Sequence, residues 1–240
     1  MVGAGAITCS DMDPERLIYP LLKHVLLGPA MRVVFLPKVS GLRHVPRTGP
    51  VILAANHLAF LDSFVLPLMV PRRVHFLGKH EYFTGPGVRG RVMATFFRSV
   101  GAIAVDRSGG RAALDALDTS ARVLEGGGVF AIHPEGTRSP DGRLYRGRTG
   151  VARLAMRTGA PVLPVAIEGT DRVQPRGQAV PKPGRIGVRI GPPLDFAGRD
   201  AGTPRGRAAR DVTDEIMQAI RDLSGQEYVD DYAPRPGIPA

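Results

Sequence analysis

At 240 residues, 43% hydrophobic and 22% charged, the chain has the make-up of an ordinary globular protein with a substantial core, which excludes disordered and fibrous classes. A single cysteine, Cys9, excludes an internal disulfide framework and a multi-cysteine metal site, and fits a reducing compartment. The net charge of +10, mostly arginine because Lys23, Lys38, Lys79 and Lys182 are the only lysines, favours anionic partners such as phosphorylated metabolites, acidic lipid headgroups or nucleic acid. The lack of tryptophan weighs against a single-strand nucleic-acid binder, which needs stacking platforms.

In chain order, residues 1–10 lack the basic region and apolar core of a signal peptide. The most apolar stretch, 17–36, is interrupted by Pro20, Lys23, His24, Pro29 and Arg32, so it is expected to fall short of a membrane span. Two short helical pieces, 17–27 and 30–36, remain. They suit a membrane interface, and equally a helix packed on its own domain. Residues 39–42 read as an edge strand before a Pro/Gly turn. The apolar run 51–53 after Gly49-Pro50 reads as a buried strand, followed by a helix over 63–70 that Pro71 ends.

Further strands are expected at 74–78, 102–105, 129–132, 162–167 and 186–190, with Pro164 demoting its position in the fourth of these to an edge or a bulge. Residues 85–90 read as a loop and 91–98 as a short helix. The clearest helix runs over 108–125, with Ala113, Leu117, Ala121 and Leu124 in one stripe and Gly126 to Gly128 as its stop. Helices also fall at 150–158, capped by Gly159, and at 204–223. Residues 171–185 read as a basic loop, and the stretch from Gln226 as an extended or mobile tail. Strands alternating with helices predict an α/β fold: a layered αβα domain on a central mixed, largely parallel sheet, with N-terminal membrane-associating helices. The implied organisation is 1–37 as interfacial helices, 38–225 as the main domain and 226–240 as the tail.

Polar clusters follow three of these strands. His57 and Asp62 come after the first of them. Five residues turn a helix through about 500°, so the pair cannot meet inside one regular helix. They meet if His57 stays in the turn and Asp62 opens the next helix, where a carboxylate also suits the helix dipole. An aspartate on one ring nitrogen would fix the tautomer and leave the other as a proton acceptor; a turn histidine beside a capping aspartate is the plainer reading. Asp106-Arg107 reads as a surface ion pair or as part of a site. Pro134-Glu135-Gly136-Thr137-Arg138-Ser139 joins a close-approach glycine, a hydroxyl and a planar cation, as an anion pocket or as a tight turn; Arg143, Arg146 and Arg148 are its second rim or a solvated face. Three such clusters at carboxyl ends of strands point to a site. No Gly-x-Ser-x-Gly, His-Glu-x-x-His or phosphate-loop spacing is present, so a nucleophilic serine, a zinc centre and a nucleotide site are disfavoured.

In order, Asn56-His57-x4-Asp62, Gly101-x-Ile103-x-Val105-Asp106-Arg107, Pro134 to Ser139 and Val162-Leu163-Pro164-Val165 resemble the four blocks of the glycerolipid acyltransferases, the family that includes 1-acylglycerol-3-phosphate acyltransferase. The chain departs from the pattern at Ala59, where members often carry serine, and at His133, where many carry phenylalanine. The resemblance implies transfer of a fatty acyl group from acyl-CoA or acyl-carrier protein to the free hydroxyl of 1-acylglycerol-3-phosphate, with no cofactor. His57 would act as general base and Asp62 as its orienting partner. Arg107 and Arg138 would hold the phosphate, Glu135 and Thr137 would bind glycerol hydroxyls or brace those arginines, and Gly136 would lie near the oxyanion. Lys79 and Arg148 are further substrate-binding candidates, and Phe60, Phe64, Phe76, Phe83, Phe96 and Phe97 would line an acyl groove or form plain core. The partners implied are a lysophospholipid, an acyl thioester and an anionic membrane surface, with no nucleic acid, and the place is the cytoplasmic face of the cell membrane as a peripheral protein. Other readings are an acyltransferase for another lyso- or glycosylated phospholipid, a non-catalytic basic protein on membranes or nucleic acid, and a metal-dependent hydrolase.

Overall fold

Strand β2, Val51–Ala55, has no solvent-exposed residue, as its unbroken apolar run requires of a strand covered on both faces. It sits at the middle of a seven-stranded sheet in the order β1-β8-β7-β2-β5-β3-β4, formed by Lys38–Ser40, Val51–Ala55, Val74–Lys79, Ala102–Val105, Val129–Ile132, Val162–Glu168 and Gly187–Ile190 as β1, β2, β3, β4, β5, β7 and β8. Every neighbouring pair is parallel except β7 with β8. The coordinates are a computed structural model that describes residues 14–105, 112–199 and 205–234.

Side-chain alternation along the central strands divides the core in two. Val51, Leu53 and Ala55 join Leu163, Val165 and Ile167 on one face, under α2 (Leu27–Phe35), α3 (Asp62–Met69) and α4 (Gly87–Ser99). Ile52, Ala54 and Phe130 lie on the other, under α5 (Ala112–Glu125), α6 (Gly150–Thr158) and α8 (Arg205–Ser224), whose Val212, Ile216 and Ile220 recur at helical spacing. This is the layered αβα arrangement with a mixed, largely parallel sheet. The expected loop at 85–90 is in part the first turn of α4, and the first four residues of the expected helix 108–125 lie outside the described residues.

Pro164 does not mark an edge. It lies in β7, between β2 and β8, opposite Ala54. The antiparallel ladder with β8 begins only at Val165, and at Pro164 the backbone contributes its carbonyl, which accepts from Gly191 N at 2.8 Å. The missing N–H is therefore not needed on that side. A Cβ on Gly191 would come within 2.9 Å of the proline ring, so the neighbour is glycine.

The N-terminal pieces are also one helix. α1, Pro14–Leu21, runs through a widened π-type turn at Leu22–Leu26 into α2. The wide turn lies between Pro20 and Pro29, and Gly28 is needed because a Cβ there would meet Lys23 O at 1.9 Å. The run Ile18–Phe35 is therefore long and apolar enough to cross a membrane by length and composition, contrary to the expectation from its interruptions. Lys23 interrupts the sequence but not the outer face. It is buried against the domain, where its Nζ donates to the carbonyls of Val70 and Arg72 and to the Tyr19 hydroxyl, capping the end of α3. Tyr19, Met31 and Phe35 pack inward beside it, while Leu21, Val25, Leu26, Val33, Val34 and Leu36 face outward.

Candidate active site

The carboxyl ends of the parallel strands form one rim, and β2 delivers its next residues to the middle of it. Asn56 is fully buried. Its amide clamps β7, accepting from Ile167 N at 2.7 Å and donating to Ile167 O at 2.9 Å. With Asn56 fixed, His57 begins the turn into α3.

His57 Nδ1 lies 3.0 Å from Asp62 Oδ2, the pairing that the turn-then-helix spacing predicts. Oδ2 also accepts the backbone N–H groups of Leu58 at 2.7 Å and Ala59 at 2.9 Å, so one oxygen shapes the turn and orients the ring. A carboxylate acceptor puts the proton on Nδ1 and leaves Nε2 bare. Asp62 is fully buried. Burial alone would raise its carboxyl, but the His57 bond and ring charge outweigh it and hold the group below the usual carboxylate range. His57 keeps 16% of its side chain exposed.

The 134–139 segment, after β5, grips the same peptide from both sides. Glu135 Oε1 accepts from His57 N at 2.9 Å, and Ser139 N donates to His57 O at 2.7 Å. The other Glu135 oxygen accepts from Tyr145 N at 3.0 Å. Glu135 is thus buried behind the histidine with both oxygens taken by backbone, which places it as a brace of the dyad and not on a glycerol hydroxyl. Gly136 turns the chain at φ +73, and a Cβ there would press on the Arg148 side chain at 3.1 Å. Thr137 and Arg138 follow, half-buried on the rim. Arg148 donates its backbone N–H to Pro134 O at 2.8 Å and lays its guanidinium 4.6 Å from the centre of the Tyr232 ring. Lys79 is exposed at the carboxyl end of β3, opposite Val105. Asp106 and Arg107 lie outside the described residues.

His133 is a site residue that sequence reasoning missed. Its ring stacks on His57 at 3.9 Å between centroids and 9° between planes. Its Nδ1 lies 3.1 Å from Ala55 O and 3.0 Å from Asn56 O, so it carries a proton and donates to those carbonyls. Its place in a block where phenylalanine is common was the available signal, because histidine, like phenylalanine, offers a flat ring, and here that ring stacks on His57.

Burial holds His133 down to about 3, and on β3 it holds His75 down to about 4. In both cases the folded state binds the proton more weakly than the unfolded chain, so stability falls as pH drops below about 6.5. Burial pushes Glu135 up from 4.5 to about 7, so its contribution weakens as pH rises through that interval. His133→Phe keeps the stacked ring but removes a group that must charge on unfolding. We expect it to cost about 1 kcal/mol at neutral pH for the lost bond to the two carbonyls. Between pH 6.5 and 4 its stability, followed by circular dichroism in urea, should fall less steeply than the parent's. A slope equal to the parent's would contradict a neutral His133 in the folded state.

A wall of rings starts beside the dyad. Phe60, in the turn that follows His57, lies 5.3 Å from Phe64 and 6.3 Å from Tyr82. Tyr82 stacks on Phe97 at 4.6 Å, and Phe64 and Phe83 both approach Phe97. Phe76 and Phe97 are core, whereas Phe60, Phe64, Phe83 and Phe96 are only partly buried. On α4, past this wall, Val88, Val92 and Met93 are exposed.

The acyltransferase family model matches residues 37–168, which include the dyad, the 134–139 segment and β7. A chloroplastic 1-acyl-sn-glycerol-3-phosphate acyltransferase of Brassica napus is 30% identical over 158 residues, 65% of this chain and 44% of that protein. The alpha form of 1-acyl-sn-glycerol-3-phosphate acyltransferase from Mus musculus is 26% identical over 195 residues, 80% of this chain and 65% of that protein. The chain thus spans less than half the length of the Brassica relative. The crystal structure of the 1-acyl-sn-glycerophosphate acyltransferase PlsC from Thermotoga maritima superposes with a TM-score of 0.65 at 27% identity, over 88% of this chain and 83% of that one.

Proposed function

Because this chain belongs to the acyltransferase family, we propose that it transfers a fatty acyl group from a thioester, acyl-CoA or acyl-carrier protein, to the free hydroxyl of 1-acylglycerol-3-phosphate, forming phosphatidic acid. The observation that carries this reading is the His57–Asp62 pair at 3.0 Å, set in a turn that the 134–139 segment holds on both sides. His57 Nε2 takes the hydroxyl proton as the alkoxide oxygen attacks the thioester carbonyl. Asp62 stabilises the imidazolium that forms. The tetrahedral intermediate then collapses, expels the thiolate and returns the proton to it from His57. No covalent enzyme intermediate is required. The N–H groups of Leu58, Ala59 and Gly136 already donate within the chain, so the oxyanion draws on other donors.

Arg138, with Arg107, holds the acceptor phosphate beside Thr137, and the aromatic wall from Phe60 to Phe96 takes the acyl chain. Incubating the protein with a panel of acyl thioesters and lysolipids tests the reading: thiol release with 1-acylglycerol-3-phosphate supports it, and release only with another lysophospholipid would move the acceptor. Arg138→Ala should raise the acceptor KM about tenfold with kcat little changed, since the phosphate is held equally before and during reaction. An unaltered acceptor KM would remove Arg138 from the phosphate site.

The outward apolar residues of the N-terminal helix favour a peripheral seat on a membrane. Tyr19, Lys23, Met31 and Phe35 tie that helix to the domain along its length, which argues for lying in the interface over crossing it. Binding to anionic liposomes should weaken as salt rises, because it combines apolar insertion with arginine attraction. Flotation that ignores salt would show that charge plays no part.

A further inference from the structure

After α8 the chain turns at Gly225 (φ +68) and runs back across the rim as residues 225–234. Two residues of it, Tyr228–Val229 (β9), pair in parallel with Leu144–Tyr145 (β6) as a separate two-stranded ribbon. The described part of the expected tail, 226–234, is therefore extended in part and built into the domain. Leu144 N donates to Glu227 O at 2.9 Å and Arg146 N to Val229 O at 3.0 Å. Tyr232 lies over the guanidinium groups of Arg146 and Arg148.

Two hydrogen-bonded routes lead from this segment to the catalytic turn. In the first, Asn56 Nδ2 donates to Gln226 Oε1 at 2.8 Å, while Gln226 Nε2 donates to Gly142 O at 2.6 Å. In the second, β9 backs β6, Tyr145 N of β6 donates to Glu135, and Glu135 holds His57 N. Both routes end at consecutive residues, 56 and 57. Asn56 is fully buried, and its two amide protons go to Ile167 O and Gln226 Oε1. Removing Gln226 takes the acceptor from one of them and breaks the tie between residues 225–234 and the backbone that carries His57.

We propose that Gln226 is a positioning residue for the reaction, the clasp by which residues 225–234 strap Asn56 and so set His57 against its substrate. The kinetic part of this rests on the proposed role of His57 as general base; the structural part does not. Gln226 also borders a cleft of about 310 Å³ with Leu58, Gly142 and Gly169, so a direct role in binding substrate has to be separated from positioning.

The test uses two variants of the full chain. Gln226→Met fills the same space without either bond, and Gln226→Glu restores an acceptor for Asn56 Nδ2. Positioning predicts that Gln226→Met lowers kcat about tenfold or more with both substrate KM values within about twofold, because a small misplacement of a reacting group acts on the transition state. Gln226→Glu should recover most of that loss. A Met variant with the parent's kcat, a rise confined to KM, or a Glu variant as slow as the Met variant would each overturn the proposal. Amide hydrogen exchange at residues 57–59 supplies a readout that needs no turnover: it should quicken about tenfold in the Met variant while exchange in β5 and α6 stays as in the parent. Unchanged exchange at 57–59 would also overturn the strap. If the parent acylates no lysolipid, the proposed function fails, and the exchange comparison still decides whether Gln226 holds the turn.

Discussion

His57→Ala should lower acyl transfer by at least about 10³-fold while leaving the fold intact, as the loss of a general base from a positioned pair requires. The fold should survive because the contacts that hold residue 57 run through its backbone. Glu135 accepts its N–H and Ser139 donates to its carbonyl, and alanine keeps both. The ring is partly exposed, so its removal leaves a dent open to water, not a sealed cavity. A thermal midpoint within a few degrees of the parent, measured beside thiol release, completes the test. Turnover within tenfold of the parent would remove the imidazole from the chemistry, and unfolding would show that the stack with His133 carries structure.

Asp62 separates orientation from charge. In Asp62→Asn the amide oxygen can take the place of Oδ2 and keep the bonds from Leu58 N, Ala59 N and the imidazole. What vanishes is the negative charge that stabilises the imidazolium, so kcat should fall about 10²- to 10⁴-fold with stability little changed. Asp62→Ala should lose activity to a similar degree and also destabilise by roughly 2–5 kcal/mol, because two backbone N–H groups are left buried without acceptors. Urea unfolding of the two variants measures the difference. Equal stability in both would mean that the turn at 57–59 does not lean on this carboxylate.

The central strands were legible because each is a short apolar run that must be covered on both sides, as residues 129–132 coincide with β5; at the sheet's edge, 102–105 coincide with β4. The dyad was legible because i, i+5 is incompatible with one helix and compatible with a turn followed by a helix start. Glu135 was not, because an acidic residue beside Gly-Thr-Arg looks the same whether it faces a ligand or a backbone amide, and only the fold brings His57 N and Tyr145 N to its two oxygens. Pro164 misled because the edge rule assumes a full ladder on both sides, and here the β8 side starts one residue later. The helix through Pro20 and Pro29 was hidden because proline ordinarily ends a helix, whereas here the chain stays helical on both sides of the widened turn at Leu22–Leu26. Residues 225–234 carry too little strand pattern to announce β9, whose place is set by partners 84 residues away.

The bond between Asn56 and Gln226 spans 170 positions of the chain. During synthesis the histidine turn, the strands around it and even the 134–139 segment are all made well before the glutamine that fastens them. The turn at 56–57 therefore lacks this tie until residues 225–234 have been made, after every strand of the seven-stranded sheet. Closing so long a loop costs more entropy than a local contact, which makes this bond one of the least local that the fold contains around His57.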